Sequence, residues 1–275
     1  MQLRRSDRVD LHVHSRFSDG VDDPASLVAA PVAVVSICDH DTIRAYDNLP
    51  KPAGEGAVLL PGVELTARLG DTEREIHILG YFPRGFSVEF RDFVAEREDD
   101  RRTRVRRGVS ILRNDGIPVK WADFEAEVGD AVPCRTHVAR CLVKIGWPRR
   151  PDQLYDGFMN RTRFRPTQIS TAETIATIRD CGGLAIWAHP PEDVLANFGE
   201  SLLEEGLHGL EVNSPAMRGS RRAAAVAFSE AHGLLRSGGT DSHGGRKKRV
   251  GWYRVTVDDV SAELFGDARV MPSMT

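Results

Sequence analysis

Two of the chain's nine histidines, His12 and His14, stand one residue apart in RVDLHVHSRFSDG at residues 8–20. Apolar residues alternate with polar ones over 9–13, and this period of two is typical of a β-strand. Alternate side chains of a strand share one face, so the two imidazoles point the same way, with their Cβ atoms roughly 7 Å apart. They could bind one cation together, or they could form the water-facing side of a surface strand.

More ligand-type side chains lie within or just after short apolar runs further along the chain. They are Asp19, His40, Glu64, His77, His137, His189, Asp241 and His243. One such residue alone is more often a satisfied polar group than a ligand, but the carboxyl ends of barrel strands converge at one mouth. Histidine and carboxylate ligands without a thiolate suit Zn²⁺, Mn²⁺ or Fe²⁺. Their number would serve two or three ions that share a bridging carboxylate.

Strands and helices must alternate to bring these residues together. The apolar runs are VAVVSI (32–37), AVLL (57–60), IHILGYF (76–82), LAIWA (184–188), HGLEV (208–212) and GLLRSGG (233–239). Several are continuous rather than alternating, as expected of parallel strands covered by helices. STAETIATIRDCGG (170–183), with Ser170 or Thr171 as its N-cap, and RRAAAVAFSEAHG (221–233) are typical of those helices. The pattern predicts an α/β barrel or layered sheet, with one more strand at WYRVTV (252–257).

The pattern changes between residues 83 and 166. A long helix over 89–115 and shorter helices at WADFEAEV and THVARCLVKIG are predicted there. We therefore expect a body formed by 1–82 and 167–275, interrupted by a helical insertion or lid at 83–166. The arginine run over 101–107 lies opposite the apolar stripe of the long helix, which predicts a solvated helix face.

Bulk composition narrows the class of protein. The chain has 275 residues, a net charge of −3 and 41% hydrophobic residues, so nothing global favours a nucleic-acid or membrane partner. No apolar run approaches the length of a membrane span, and the first residues lack a signal-peptide segment. The four cysteines form no CxxC pair, which favours a reducing, cytoplasmic location.

In order, the motifs DLHVHSRFSDG, CDHD, GVE, IHILGY, RTHVARCLV, AHP and TDSHG resemble those of the PHP (polymerase and histidinol phosphatase) superfamily. The resemblance runs from residue 10 to about residue 245. It is nearest to a branch of stand-alone phosphoesterases that act on nucleoside 3′,5′-bisphosphates and on 5′ ends of short RNA. It implies a distorted (β/α)₇ barrel with a helical insertion, and a hydroxide that bridges metal ions as the nucleophile.

The resemblance also implies roles for single residues. One ion would take His12, His14, Glu64 and Asp241; a second would share Glu64 and take His77 and His189; a third would take Asp19, His40 and His243. Arg135 would grip a phosphate, and His137 would donate a hydrogen bond to it, protonate the leaving oxygen or replace His189 as a ligand. Asn213, in EVNSPAM, would affect specificity, and Cys38 would be an extra soft contact. Asp10, Asp39 and Asp41 would orient the imidazoles.

Two other functions stay open at this point. Histidinol-phosphate phosphatase is one, although the SDG motif and the size of the insertion argue against it. A catalytically silent metal-binding domain is the other, although the complete ligand set argues against that. The RKKR run at 246–249 is either a solvated loop or a rim that attracts a second phosphate or a short nucleic-acid strand. No obligate protein partner is evident.

Overall fold

The computed structural model describes residues 2–49, 56–147, 154, 159, 162–245, 249–266 and 269–271. Its strands are β1 (Gln2–Arg4), β2 (Val9–Val13), β3 (Val34–Ile37), β4 (Val58–Leu59), β5 (Gly62–Arg68), β6 (Glu75–Tyr81), β7 (Leu184–Trp187), β8 (Gly209–Asn213), β9 (Leu235–Gly238) and β10 (Arg269–Met271). Its helices are α1 (Pro24–Val28), α2 (Arg44–Asp47), α3 (Val88–Asn114), α4 (Trp121–Val128), α5 (Arg135–Lys144), α6 (Thr171–Asp180), α7 (Glu192–Glu204) and α8 (Gly219–Ala231). Among these helices, none combines the length and apolar character needed to cross a membrane.

The strands form three sheets, in the orders β1-β10, β2-β3-β4 and β5-β6-β7-β8-β9. All six apolar runs predicted as strands are strands, and the α/β class is confirmed. The expectation of parallel strands is wrong for β6, which pairs antiparallel with both β5 and β7. Its connection to β5 spans only residues 69–74, and a link this short permits a hairpin but not a crossover.

Single contacts join the edges of the two larger sheets. Isolated bridges pair Val13 with Ser242 and His40 with Glu64. Gly239 permits the first approach, because a Cβ atom there would lie 2.4 Å from the main-chain nitrogen of His12. The strands therefore curve around a common interior, while the closed seven-stranded barrel stays a prediction.

Helices α6, α7 and α8 cover the five-stranded sheet. The predicted N-cap of α6 is confirmed, since the Ser170 side chain accepts a hydrogen bond of 3.1 Å from the main-chain N–H of Glu173. Ile175 and Ile178 of this helix are fully buried against the sheet. Burial of each such side chain stabilises the fold by about 1.5–3 kcal/mol, so packing, more than helix propensity, positions the strand ends.

Helix α3 lies within the helical segment predicted at 83–166 and packs against both the body and the rest of that segment. Its first turns bury Phe90 and Val94 in the body core, whereas Val105 packs with α4 and α5 in a separate hydrophobic cluster. The prediction that the arginine run is a solvated face is wrong in part. The side chain of Arg101 is buried and donates a 2.7 Å hydrogen bond to Asp41, because it lies on the same helical face as Val105.

The C-terminal part contains one wrong prediction. WYRVTV is not a strand: Thr256 makes an isolated bridge with Arg8, and its hydroxyl donates to the carboxylate of Asp259 at 2.7 Å. This capping contact begins a 3₁₀ turn at Val257–Asp259 instead of extending a sheet. Residues 246–248 of the basic run lie outside the described residues.

Candidate metal centre

One end of the sheets collects the ligand-type side chains. His14 follows β2, His189 follows β7, and Asp241 lies just beyond β9. His77 lies near the start of β6, and the antiparallel direction of that strand brings its beginning to the same end. The topology thus brings residues that are far apart in the sequence together in one cluster.

The Glu64 carboxylate lies at the middle of this cluster. It is 1% exposed, and five imidazoles have a ring nitrogen within 3.4 Å of one of its oxygens. They belong to His12, His14, His40, His77 and His189. A buried carboxylate needs positive charge around it, and this one is placed to bridge several ligand groups.

The first group consists of His12, His14 and Asp241, with Glu64 beside them. The two histidine Nε2 atoms are 3.2 Å apart, and the Nε2 of His14 is 3.1 Å from Asp241 Oδ1. Nε2 of His12 lies 3.4 Å from Glu64 Oε1 and 3.6 Å from Asp241 Oδ1. Ligands bound to one ion at 2.0–2.1 Å are separated by roughly 2.9–3.4 Å, so these atoms sit close to the corners of one coordination shell.

Two more groups lie beside the first. His77 Nδ1 and His189 Nε2 are 3.0 and 3.1 Å from Glu64 Oε1, which places the predicted second set around one oxygen. His243 Nε2 and His40 Nε2 are 3.2 and 3.9 Å from Asp19 Oδ1, which brings the predicted third set together. His40 also reaches Glu64 Oε2 with its Nδ1 at 2.9 Å, so it lies between the second and third groups.

Unpaired polar atoms show that these residues fit a bound cation. Five buried side-chain atoms of the cluster make no hydrogen bond of suitable geometry among the described residues, although some lie close to one another: His14 Nδ1, Asp19 Oδ1, His40 Nδ1, Glu64 Oε2 and His77 Nδ1. Leaving a buried polar atom unpaired costs about 1–3 kcal/mol, which makes such clustering unfavourable without a ligand. Divalent ions held by imidazoles and carboxylates would satisfy them.

The pKa shifts of Glu64 and His14 suit the same interpretation, whereas, against the effect of burial, nearby carboxylates raise the pKa of His12, His189 and His243 while no ion is bound. Burial alone would raise the pKa of Glu64, but the neighbouring His40 and His77 outweigh it and hold that pKa well below its usual range. Burial, together with the charge of His243, lowers the pKa of His14 to about 4, so its ring is neutral near pH 7. Ionised carboxylates and neutral imidazoles are the forms that bind metal.

Backbone strain coincides with the ligands. His189 and Asp241 have φ angles of 33° and 49°, in the left-handed region that side chains other than glycine rarely adopt. Each such residue costs about 1–3 kcal/mol and persists only where its surroundings enforce it. The strain therefore turns these two side chains into the cluster at the expense of local stability.

The carboxylates predicted to orient the imidazoles, those of Asp10, Asp39 and Asp41, accept hydrogen bonds from other groups. Asp10 accepts from the main-chain N–H of Thr240 and Gly251 at 2.8 and 2.7 Å. Asp39 accepts from Ser15 and Ser18, and Asp41 from Arg101 and Thr66. The expectation that they touch imidazoles is not met by any of these contacts. They tie down the loops that carry the ligands.

Glu211 makes the contact that was expected of those residues. Its Oε1 lies 3.1 Å from Nδ1 of His12, and its Oε2 accepts from the main-chain N–H of His189 at 2.8 Å. Sequence reasoning missed it, although a glutamate inside the apolar run HGLEV was an available signal. Cys38, predicted as a soft contact, instead donates to Leu11 O at 3.4 Å, and burial raises its pKa to about 12.

A cavity of about 290 Å³ opens onto the cluster. Besides the ligands, it is lined by four arginines, Arg101, Arg104, Arg135 and Arg165. Glu75 also lines it, 3.1 Å from Arg104 and 3.9 Å from Arg135. If Asp19, Glu64 and Asp241 bind cations, four guanidinium groups and one remaining carboxylate, Glu75, line the cavity, which suits an anion with several oxygen atoms.

The RTH segment at the start of α5 is divided between two surroundings. The side chain of Arg135 is 40% exposed and lines the cavity. His137 is 2% exposed, and its Nδ1 accepts from the main-chain N–H of Cys134 at 2.9 Å, which caps its own helix. Between them, the Thr136 hydroxyl donates to Asp19 Oδ2 at 2.8 Å. Asn213, predicted to contact substrate, is buried beside the Tyr253 hydroxyl and is not among the cavity-lining residues.

Comparisons with known proteins cover most of the chain. No family model matches it. It is 30% identical over 252 residues to the 5′-3′ exoribonuclease of Haemophilus influenzae, covering 86% of this chain and 90% of that protein. It is 26% identical over 259 residues to a 3′,5′-nucleoside bisphosphate phosphatase of Chromobacterium violaceum, covering 86% and 87%. A Bifidobacterium adolescentis structure assigned as a metal-dependent phosphoesterase matches with a TM-score of 0.75 and 28% identity, covering 91% and 93%.

Replacing Thr136 by valine tests the contact between α5 and the third ligand group. The substitution removes the hydroxyl that holds Asp19 Oδ2, so Asp19 Oδ1 is no longer fixed towards His40 and His243. We expect the Mn²⁺ affinity of the proposed site formed by Asp19, His40 and His243 to fall by about 10-fold, since loss of an orienting contact typically costs 10–100-fold. Mass-spectrometric metal analysis after gel filtration measures the retained ions. Thr136→Ser keeps the hydroxyl and should behave as wild type; equal metal content in the valine variant would contradict the assigned role.

Proposed function

The chain belongs to the PHP superfamily of metal-dependent phosphoesterases and is a hydrolase, and we propose that its substrate is a small nucleotide or the 5′ end of a short RNA. The reaction would release phosphate from a monoester, such as a nucleoside 3′,5′-bisphosphate, or cleave a phosphodiester at an RNA 5′ end. The observation that carries this proposal is an arginine-lined cavity directly beside the Glu64-centred ligand cluster.

The ligand groups support a centre of two or three divalent ions, Mn²⁺, Fe²⁺ or Zn²⁺. His12, His14, Asp241 and Glu64 would hold the first ion, and Glu64 with His77 and His189 the second. Asp19, His40 and His243 would hold the third. Bound ions of this kind lower the pKa of a water molecule and offset the negative charge of a phosphate group. The residues themselves contribute fixed directions, because strand pairing and buried hydrogen bonds hold each ring in place.

The arginines have unequal freedom to bind a phosphate. Arg101 is committed to Asp41 at 2.7 Å, and Arg104 to Asp100 and Glu75. Within the part of the chain that the structure describes, Arg135 has only a distant contact with Glu75, at 3.9 Å, and 40% of its side chain is exposed. We therefore assign Arg135 as the group that grips a phosphate through its planar fork of donors, while Arg101 and Arg104 supply positive charge held in place by their carboxylate partners.

The substrate class follows from the charge and size of the cavity. Its volume of about 290 Å³ lies just below the range of small-molecule sites, about 300–1,000 Å³, which suits one nucleotide better than a long strand. A nucleotide with two phosphates could use the ligand cluster for one and Arg135 for the other. Both named relatives of the chain also act on nucleotide phosphates.

The helical segment 83–166 would form the roof of this site. Thr136 and Arg140 of α5 both contact Asp19, the side chain through Thr136 and the main-chain oxygen through Arg140. Arg135 and Arg101 reach the cavity from the same segment. The segment would thereby supply the phosphate-binding groups, whereas the sheets supply the metal ligands.

A substrate panel tests the proposed function. Phosphate release in Mn²⁺ would be measured from adenosine 3′,5′-bisphosphate, AMP, histidinol phosphate and a short 5′-phosphorylated RNA. We expect release from the bisphosphate or the RNA, little from histidinol phosphate, and none in the double variant His12→Ala/His14→Ala. Release from histidinol phosphate alone would support the alternative enzyme. A metal-loaded protein inactive on every compound would refute the nucleotide assignment.

Substitution of Arg135 and His137 separates their roles. Arg135→Ala removes an exposed guanidinium from the cavity, so KM for the active substrate should rise about 10-fold or more with little change in Tm. His137→Ala removes a buried cap, which should lower the free energy of unfolding by about 0.5–2 kcal/mol. Steady-state kinetics and thermal unfolding on the same preparations measure both. A large fall in kcat for His137→Ala at unchanged Tm would restore His137 as the group that protonates the leaving oxygen.

A further inference from the structure

We infer that Glu211 is a positioning residue that orients ligands of two neighbouring metal sites at once; this inference rests on the metal centre of the proposed function. Glu211 lies on β8 and is fully buried. Its two carboxylate oxygens have different partners, His12 through Oε1 and His189 through Oε2. His12 belongs to the first ligand group and His189 to the second, so one side chain spans both.

The two partners demand a carboxylate. Nε2 of His12 faces the ligand cluster, 3.2 Å from Nε2 of His14. When Nε2 binds an ion, the hydrogen of the neutral ring is on Nδ1, which then donates to Glu211. The partner at His189 is a main-chain N–H, which is also a donor. Glu211 must therefore accept on both oxygens, and glutamine, with one oxygen and one NH₂ group, would set a donor against a donor.

The contact at His189 also controls a strained backbone. His189 has a φ of 33°, and its N–H is held by Glu211 at 2.8 Å. From the other side, the guanidinium of Arg221 donates to His189 O and to Pro190 O, the latter at 2.9 Å. Because the chain is held on both sides of its Cα atom, the ring direction of His189 depends on these contacts. Loss of Glu211 would remove the contact at the His189 N–H and leave only the contacts of Arg221.

Glu211 would also strengthen His12 as a ligand. A carboxylate that accepts from the non-ligating ring nitrogen fixes the tautomer and raises the basicity of the ligating one. Loss of such a contact typically costs 10–100-fold in metal affinity. Here the same oxygen pair affects two sites, so the effect should appear in more than one binding step.

The test is a Mn²⁺ titration of the metal-free protein by calorimetry, with wild type, Glu211→Gln and Glu75→Gln compared. Glu211→Gln preserves shape and should weaken Mn²⁺ binding about 10–100-fold in the steps that involve His12 and His189. Glu75→Gln removes a carboxylate from the same cavity, but Glu75 contacts Arg104, Arg135 and Thr167 and none of the proposed ligands. The Mn²⁺ affinity of this variant should therefore stay within about 2-fold of that of wild type. Unchanged affinity in Glu211→Gln, or an equal loss in both variants, would overturn the inference.

A second measurement needs no variant and covers the case in which Glu211→Gln fails to fold. In Zn²⁺-loaded wild type, nitrogen-15 NMR should find His12 with its hydrogen on Nδ1 and the ion on Nε2. The opposite tautomer would overturn the inference. Failure of the proposed function is distinguishable, because a protein that binds Mn²⁺ through Glu211-dependent steps but cleaves no nucleotide refutes only the substrate.

Discussion

The structure depends on one buried carboxylate. Glu64 is 1% exposed, yet five imidazoles lie within 3.4 Å of it and its pKa is held well below the usual range. A buried negative charge is tolerated only with positive charge close by. Burial, and after it the positive charge of the neighbouring His243, lowers the pKa of His14 to about 4. Divalent ions meet both requirements, since they neutralise the carboxylates and bind neutral rings.

Much of the surrounding fold positions the side chains of that cluster. The antiparallel β6 delivers His77 to the end of the sheet where the parallel strands deliver theirs. Strained residues His189 and Asp241 turn inward, and Asp10 ties the Asp241 loop to β2. Helices α3 and α5 contact this end of the sheets through Arg101 and Thr136. The sheets thus carry most of the candidate metal ligands, and under the proposed function the helices would supply most of the groups that select the substrate.

The residues proposed as metal ligands could be selected from the sequence, because most of them stand beside an apolar run whose end the topology carries to one place; their clustering is shown, and their role as ligands stays a proposal. Ser170 as a cap and the helical stretches were also legible, since they depend on local contacts. Contacts between residues far apart in the sequence could not be predicted. Glu211 contacts His12 across 199 residues, and Arg101 meets Asp41 only once α3 packs on the body. His137 lies in the RTH motif, which suggested a catalytic role, whereas in the structure its ring caps helix α5.

The most direct test of the account is an anomalous difference map from a crystal soaked in Mn²⁺. We expect at least two peaks, both within about 2.0–2.6 Å of a Glu64 oxygen, with His12 and His14 on one and His77 and His189 on the other. A third peak would lie between Asp19 and His243. Peaks at other residues, or no peak near Glu64 at saturating Mn²⁺, would contradict it.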